Sequence, residues 1–85
     1  MASYSLRIKR SAAKELAAIP LKDLKRVVAR IRSLGPDPRP NGSEKLSGAD
    51  RYRIRQGDDR VVYAVDDAAR VVEIVKIGHP RDGYR

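Results

Sequence analysis

Arg51, Arg53 and Arg55 fall at alternate positions of the run Arg-Tyr-Arg-Ile-Arg-Gln, and Arg60 opens the next apolar segment. Side chains alternate across a strand with a period of two, so this spacing puts the three guanidiniums on one face and Tyr52 and Ile54 on the other. Arg60 joins the arginine face if Val61 and Tyr63 turn inward with Tyr52 and Ile54. A solvated sheet face is polar whatever its role, but four arginines with no interleaved carboxylate go further. Like charges opposed across strands cost stability. A bound anion offsets that repulsion, and phosphate suits the planar guanidinium fork. Guanidinium keeps its proton at any physiological pH, so these residues can stabilise charge but not relay protons. The titratable candidates are His79, the single histidine, with an unperturbed pKa near ~6.5, and Tyr84. The tyrosine can hydrogen-bond, stack on a base, or act as acid or base if arginines depress its pKa. By residue type alone His79 reads as a strand-end residue closing a turn before Pro80, and Tyr84 as a residue prone to fraying. Tyr52 and Tyr63 read as core.

The whole composition points the same way. Nineteen Lys and Arg against eleven Asp and Glu leave a net charge of +8 on 85 residues, and such a field draws polyanions, of which nucleic acid is the commonest. No cysteine is present, which excludes disulfides and thiolate metal sites, and one histidine with scattered carboxylates makes a poor metal site. No metal or other cofactor is expected. Met1-Ala2-Ser3-Tyr4-Ser5 lacks the apolar run of a signal peptide, and no stretch is long enough to span a bilayer. A soluble, cytoplasmic protein is expected.

The elements that must position these residues can be read in order. Tyr4–Lys9 alternates as a half-buried strand. Ser11 offers an N-cap to a helix running to Ile19, and Pro20 ends that helix and fits the first turn of the next. Leu21, Leu24, Val27, Val28, Ile31 and Leu34 then make one apolar stripe, with Lys22, Lys25, Arg26, Arg30 and Arg32 largely away from it. Gly35-Pro36 stops the helix, and the loop to Ser43 is rich in Pro, Gly and Asn. Three strands follow, Arg51–Gln56, Arg60–Val65 and Val71–Ile77, joined by tight turns at Gly57-Asp58-Asp59 and at 66–69, as antiparallel neighbours are. The expectation is a single domain over residues 1–85 of the α+β class. Its order is β-α-α-β-β-β, with two helices on one face of a four-stranded, mainly antiparallel sheet.

Several of these pieces together resemble the RelE/ParE toxin superfamily, in its RelE branch. They are Ser11-Ala12-Ala13-Lys14-Glu15-Leu16 after the first strand, Lys45-Leu46-Ser47-Gly48 after the proline-rich loop, the segment from Tyr52 to Tyr63, and Ile77-Gly78-His79 with Tyr84-Arg85. The likeness runs from Tyr4 to Arg85. It implies the toxin of a type II toxin–antitoxin system, a metal-independent endoribonuclease that cuts mRNA in the ribosomal A site. It also implies a cognate antitoxin bound in a heteromeric complex. The residues matching the superfamily's reactive positions are Arg53, Arg55, Arg60, the segment His79-Pro80-Arg81, and Tyr84. Two positions depart from the pattern. Asp59 stands where an aromatic is usual and sets a negative charge beside Arg60, and Pro80 interrupts the basic segment so that Arg81 comes one place later.

RNA cleavage without metal uses the 2′-hydroxyl as nucleophile, a base for its proton, cations for the phosphorane and a donor for the leaving 5′-oxygen. The resemblance assigns proton transfer to His79 and Tyr84, and the scissile phosphate to Arg53, Arg55, Arg60 and Arg81. Lys22, Lys25, Arg26, Arg30, Lys45 and Arg51 are expected contacts to RNA or the ribosome. Two other readings share the same pattern. One is a ParE-like toxin that inhibits DNA gyrase without nuclease activity, and the other is a non-catalytic RNA-binding module.

Overall fold

Alternation in four segments and one helical stripe account for most of the architecture. The structure, a computed structural model, describes residues 3–46 and 50–78. Its elements are β1 (Ser5–Ile8), α1 (Arg10–Ala17), α2 (Leu21–Arg32), β2 (Glu44–Lys45), β3 (Arg51–Gln56), β4 (Asp59–Asp66) and β5 (Val71–Gly78). They form one sheet in the order β1-β5-β4-β3-β2. β1 runs parallel to β5, and every other neighbouring pair is antiparallel. The α+β class and element order stand as expected, with five strands in place of four. The fifth is β2, where Glu44 and Lys45 pair with Arg53 and Tyr52. Two residues are too few to show alternation, so only the register reveals them.

α1 packs mainly on β5 and α2 on β3, both from one side. Between helices and sheet lie Ala12, Ile19, Val27, Ile31, Leu34, Ile54, Val61, Tyr63, Val65, Val72, Ile74 and Ile77, all buried. The α2 stripe is thus realised at Val27, Ile31 and Leu34, with Leu24 packed against it. Leu21 is 68% exposed, because it sits in the first turn, ahead of the part of α2 that meets the sheet.

Helix boundaries differ from the sequence expectation by one to three residues. Lys9, not Ser11, holds the cap position of α1 and makes no side-chain cap bond. Its N–H still donates to Ile74 O at 3.0 Å, so the chain leaves the sheet directly into the helix and Ser11 falls inside the first turn. Pro20 takes the cap position of α2 rather than its first turn. Its missing N–H again costs nothing, because N–H groups at a helix start lack intrahelical partners. α2 ends at Arg32, before Gly35. The chain tightens there, with Leu34 N–H donating to Ile31 O and Gly35 N–H to Arg32 O. Gly35 serves a different need. A Cβ on it would stand 3.3 Å from Tyr4 O, and its own carbonyl accepts from Tyr4 N–H at 2.9 Å, so the start of β1 lies directly against this backbone.

Two features shape the edge beside α1. Val62 pairs with Lys76 and Tyr63 with Ile74, so Val75 has no counterpart in β4 and β5 is bulged there. The bulge shifts the alternation, so that Ile77 is buried while Lys76 is exposed on the face of Val62. β1 pairs no further than Ile74, which leaves the rest of β5 without a strand partner on that side. The Glu15 carboxylate of α1 fills the gap and accepts Ile77 N–H at 2.9 Å, with Lys76 Nζ at 3.6 Å. No helix among the described residues is long and apolar enough to cross a membrane.

Candidate nucleic-acid interface

Helices on one side leave the other face of the sheet uncovered. Arg51, Arg53 and Arg55 stand opposite Ala64, Val62 and Arg60, and Arg60 is in turn opposite Gly78 of β5. The inward residues of the same strands are Ile54, Val61, Tyr63 and Val65, all buried. All four arginines therefore share the open face, as the spacing predicts. Arg55 and Arg60 are direct cross-strand partners, so two positive charges lie side by side where an anion would be drawn.

The expectation of no carboxylate among them is overturned. Glu44 of β2 is in register with Arg53, and its Oε1 accepts from Arg53 Nε at 3.1 Å and Nη2 at 2.6 Å. The hydrogen-bonded Arg53 guanidinium, with the charges of Arg55 and Arg60 nearby, holds the Glu44 carboxyl below the usual carboxylate range. Glu44 is therefore an anion already seated on the arginine face. Lys76 is the second residue there that sequence reasoning passed over. A signal existed, since the inward residues Val72, Ile74 and Ile77 step by two and then by three, which is the mark of a bulge. Glu44 left no such signal.

Asp59 precedes Arg60 but belongs to the strand, not to the turn. It is the first residue of β4, and is only 3% exposed on the inward face with Val61 and Tyr63. Alternation puts Arg60 on the other side of the sheet. Asp59 instead lines a pocket of about 210 Å³ with Asp23, Arg26, Gln56, Gly57 and Asp58, between α2 and the β3–β4 turn.

The remaining expected contacts divide between the two sides. Lys22, Lys25, Arg26 and Arg30 belong to α2, on the side of the sheet away from the arginine face. Lys45 pairs with Tyr52 and so shares the inward face at the β2 edge. Arg51 stays with Arg53. His79, Arg81 and Tyr84 lie outside the described residues, as do Ser47 and Gly48 of the Lys-Leu-Ser-Gly segment.

The far end of the sheet is tied down by polar contacts. Arg39 of the proline-rich loop donates from Nη2 to Asp67 Oδ2 at 2.7 Å and from Nε to the Tyr52 hydroxyl at 3.0 Å. Its guanidinium lies 5.3 Å from the centre of the Tyr52 ring. Tyr4 donates its hydroxyl to Asp67 Oδ1 at 2.6 Å. That bond to a carboxylate raises the Tyr4 pKa, while Arg39 lowers that of Asp67. These contacts hold the loop against β3 and the β4–β5 turn, leaving the arginine face clear.

An open antiparallel face of arginines, backed by two helices and flanked by one parallel strand, is the arrangement of a RelE/ParE-type toxin. The family described as the ParE toxin of the type II toxin–antitoxin system, parDE, matches residues 6–84, and the chain belongs to it. The fold is similar to that in the RelBE2 toxin–antitoxin complex of Mycobacterium tuberculosis, with a TM-score of 0.81 and 26% identity over 91% of this chain and 98% of that one. It is similar also to a mutant of Escherichia coli toxin RelE in the free state (TM-score 0.78, 27% identity, 98% of this chain and 88% of that one). The archaeal RelE–RelB complex of Pyrococcus horikoshii gives a TM-score of 0.78 and 27% identity, covering 94% of this chain and 98% of that one. No curated protein sequence matches the chain.

Proposed function

We propose that this toxin is a ribosome-dependent endoribonuclease that cleaves mRNA in the ribosomal A site, acts in the cytoplasm, and is held inactive by a cognate antitoxin. The observation that carries the reading is the cluster of Arg53 and Arg55 along β3 with Arg60 directly across from Arg55, on an uncovered face. Three guanidiniums suit a phosphorane, whose negative charge they stabilise in the transition state. In the reaction the 2′-oxygen attacks phosphorus as its proton leaves, and the P–O5′ bond breaks as the 5′-oxygen takes up a proton. The products are a 2′,3′-cyclic phosphate and a 5′-hydroxyl. His79 and Tyr84 are the proposed proton carriers, with Arg81 a further clamp on the phosphate. A site whose phosphate clamps are arginines has little acid–base equipment of its own, and gains from a ribosome that holds the nucleophile in line. Arg51 extends the phosphate track. Lys22, Lys25, Arg26, Arg30 and Lys45, on the helix side and the β2 edge, are the proposed contacts to ribosomal RNA rather than to the scissile phosphate. An acidic or amphipathic antitoxin segment covering the arginine face would block it by charge complementarity.

The family's description as a ParE toxin favours a second reading, inhibition of DNA gyrase without RNA cleavage. Incubation of the purified chain with mRNA on programmed ribosomes, with naked mRNA and His79→Ala in parallel and a gyrase supercoiling assay alongside, separates the two. Cuts only on ribosomes, lost in the variant, support the nuclease and its histidine. Inhibited supercoiling with no cuts overturns the nuclease.

Glu44 gives a graded prediction for the same face. Glu44→Gln removes the anion now held by Arg53, so single-stranded RNA binds more tightly. The plot of log affinity against log salt steepens by about 0.7 as one more phosphate is engaged. Fluorescence anisotropy across a salt series measures both. An unchanged slope would place Arg53 off the phosphate track.

A further inference from the structure

A second concavity opens on the uncovered face, beyond the arginines toward β1. It encloses about 360 Å³ and is lined by Arg7, Ala64, Asp66, Ala69, Val71 and Glu73 among others. Arg7, Glu73 and Ala64 form one row across β1, β5 and β4. Arg7 and Glu73 are cross-strand neighbours, yet neither takes part in any ion pair or hydrogen bond among the described side chains. Asp66 is engaged, accepting Ala69 N–H at 3.0 Å and fixing the turn at the pocket's rim.

The lining sets two carboxylates, Asp66 and Glu73, against one guanidinium, so a phosphate belongs at its margin, where Arg51 stands opposite Ala64, rather than within it. Ala64 and Val71, half-buried, provide an apolar floor on which a flat ring can lie. Beside that floor stand one forked donor, Arg7, and one two-oxygen acceptor, Glu73. Among nucleobases guanine offers the best match. Its N1–H and exocyclic N2–H₂ can donate together to a carboxylate, while O6 and N7 accept an arginine fork. Ala64 lies two residues along β4 from Val62, the partner of Arg53, about 7 Å away at strand rise. A nucleotide adjoining a phosphate held by Arg53 can therefore set its base here.

We infer that the Arg7–Ala64–Glu73 concavity is a base-binding subsite selective for guanine, receiving the nucleotide next to the phosphate held by the arginines. Its place along the RNA rests on the nuclease reading, whereas its preference for guanine does not. The test titrates 5′-GMP, 5′-AMP, 5′-CMP and 5′-UMP into the full chain and follows backbone amide shifts by NMR. GMP is expected to bind roughly tenfold or more tightly than the other three, moving the amides of Ala64, Val71 and Glu73. Glu73→Gln, and separately Arg7→Ala, should reduce GMP to the level of AMP. Equal binding of all four nucleotides, preference for another base, or a GMP preference that survives both substitutions overturns the subsite. In cleavage on ribosomes, Glu73→Gln should relax a guanine preference beside the cut without abolishing cutting. If the wild-type chain cuts nothing, the nuclease reading fails and the nucleotide titration still decides the subsite.

Discussion

Arg60→Ala lowers mRNA cleavage on programmed ribosomes by roughly 10²–10³-fold, the loss seen when a preorganised donor to a developing oxyanion is removed. Arg60 is half-buried at the centre of the open face, opposite Arg55 on β3 and Gly78 on β5. A phosphate spanning the Arg55–Arg60 pair meets two forks at once, and it does so in a site where the backbone of three strands fixes both. Arg60→Lys retains the charge but gives up the planar fork, so its rate should fall between wild type and Arg60→Ala. Lys22→Ala, on the helix side, should leave the cleavage step close to wild type under saturating ribosomes. Single-turnover rates with thermal melts of each variant separate chemistry from folding. A loss below tenfold for a fully folded Arg60→Ala would remove Arg60 from the site.

Arg51, Arg53 and Arg55 were legible because strand alternation is local, and any chain with that spacing in a strand must put them on one face. The α2 stripe was legible for the same reason, with a helical period in place of two. What could not be read depends on pairing between distant segments. Glu44 meets Arg53 only because β2 adds to the β3 edge in that register, and the neighbouring loop residues give no hint of it. β1 lies beside β5, at the other end of the described chain, although nothing near either strand says so. Adjacency in sequence does not give Asp59 the same face as Arg60. In a strand the two are opposed, and Asp59 and Arg60 point to different sides of the sheet. The Ser11 cap failed more simply, because the Lys9 N–H was already committed to Ile74 and the helix had begun before the serine. The roles proposed for His79, Arg81 and Tyr84 come from the family pattern, and their test is chemical.

The inward face carries the second large effect, at Tyr63. Tyr63→Ala destabilises the fold by about 3–5 kcal/mol, the range for removing a buried aromatic ring and leaving a cavity. At roughly 0.05–0.15 kcal/mol per residue a chain of this size has about 4–13 kcal/mol in all, so the loss takes from about a quarter to all of the fold's stability. Tyr63 is fully buried, and its ring stacks on that of Tyr52 at 5.7 Å between centroids. Its hydroxyl donates to Pro38 O at 2.7 Å. The ring therefore joins three parts of the molecule, the core under α2, the partner strand β3 and the proline-rich loop. Burial raises its pKa, so it stays a neutral donor throughout the physiological range. Tyr63→Phe isolates the hydroxyl. It keeps the ring and loses one hydrogen bond, about 1 kcal/mol, which in a domain of this length shifts the melting temperature by roughly 4–8 °C. Chemical denaturation of the three proteins gives both values. Arg55 and Arg60 lie on the strands that Tyr63 and Tyr52 bind together, so Tyr63→Phe should retain cleavage at temperatures where it is folded. A Phe variant that melts like wild type would show that the loop is held by Arg39 instead, through its bonds to Asp67 and the Tyr52 hydroxyl.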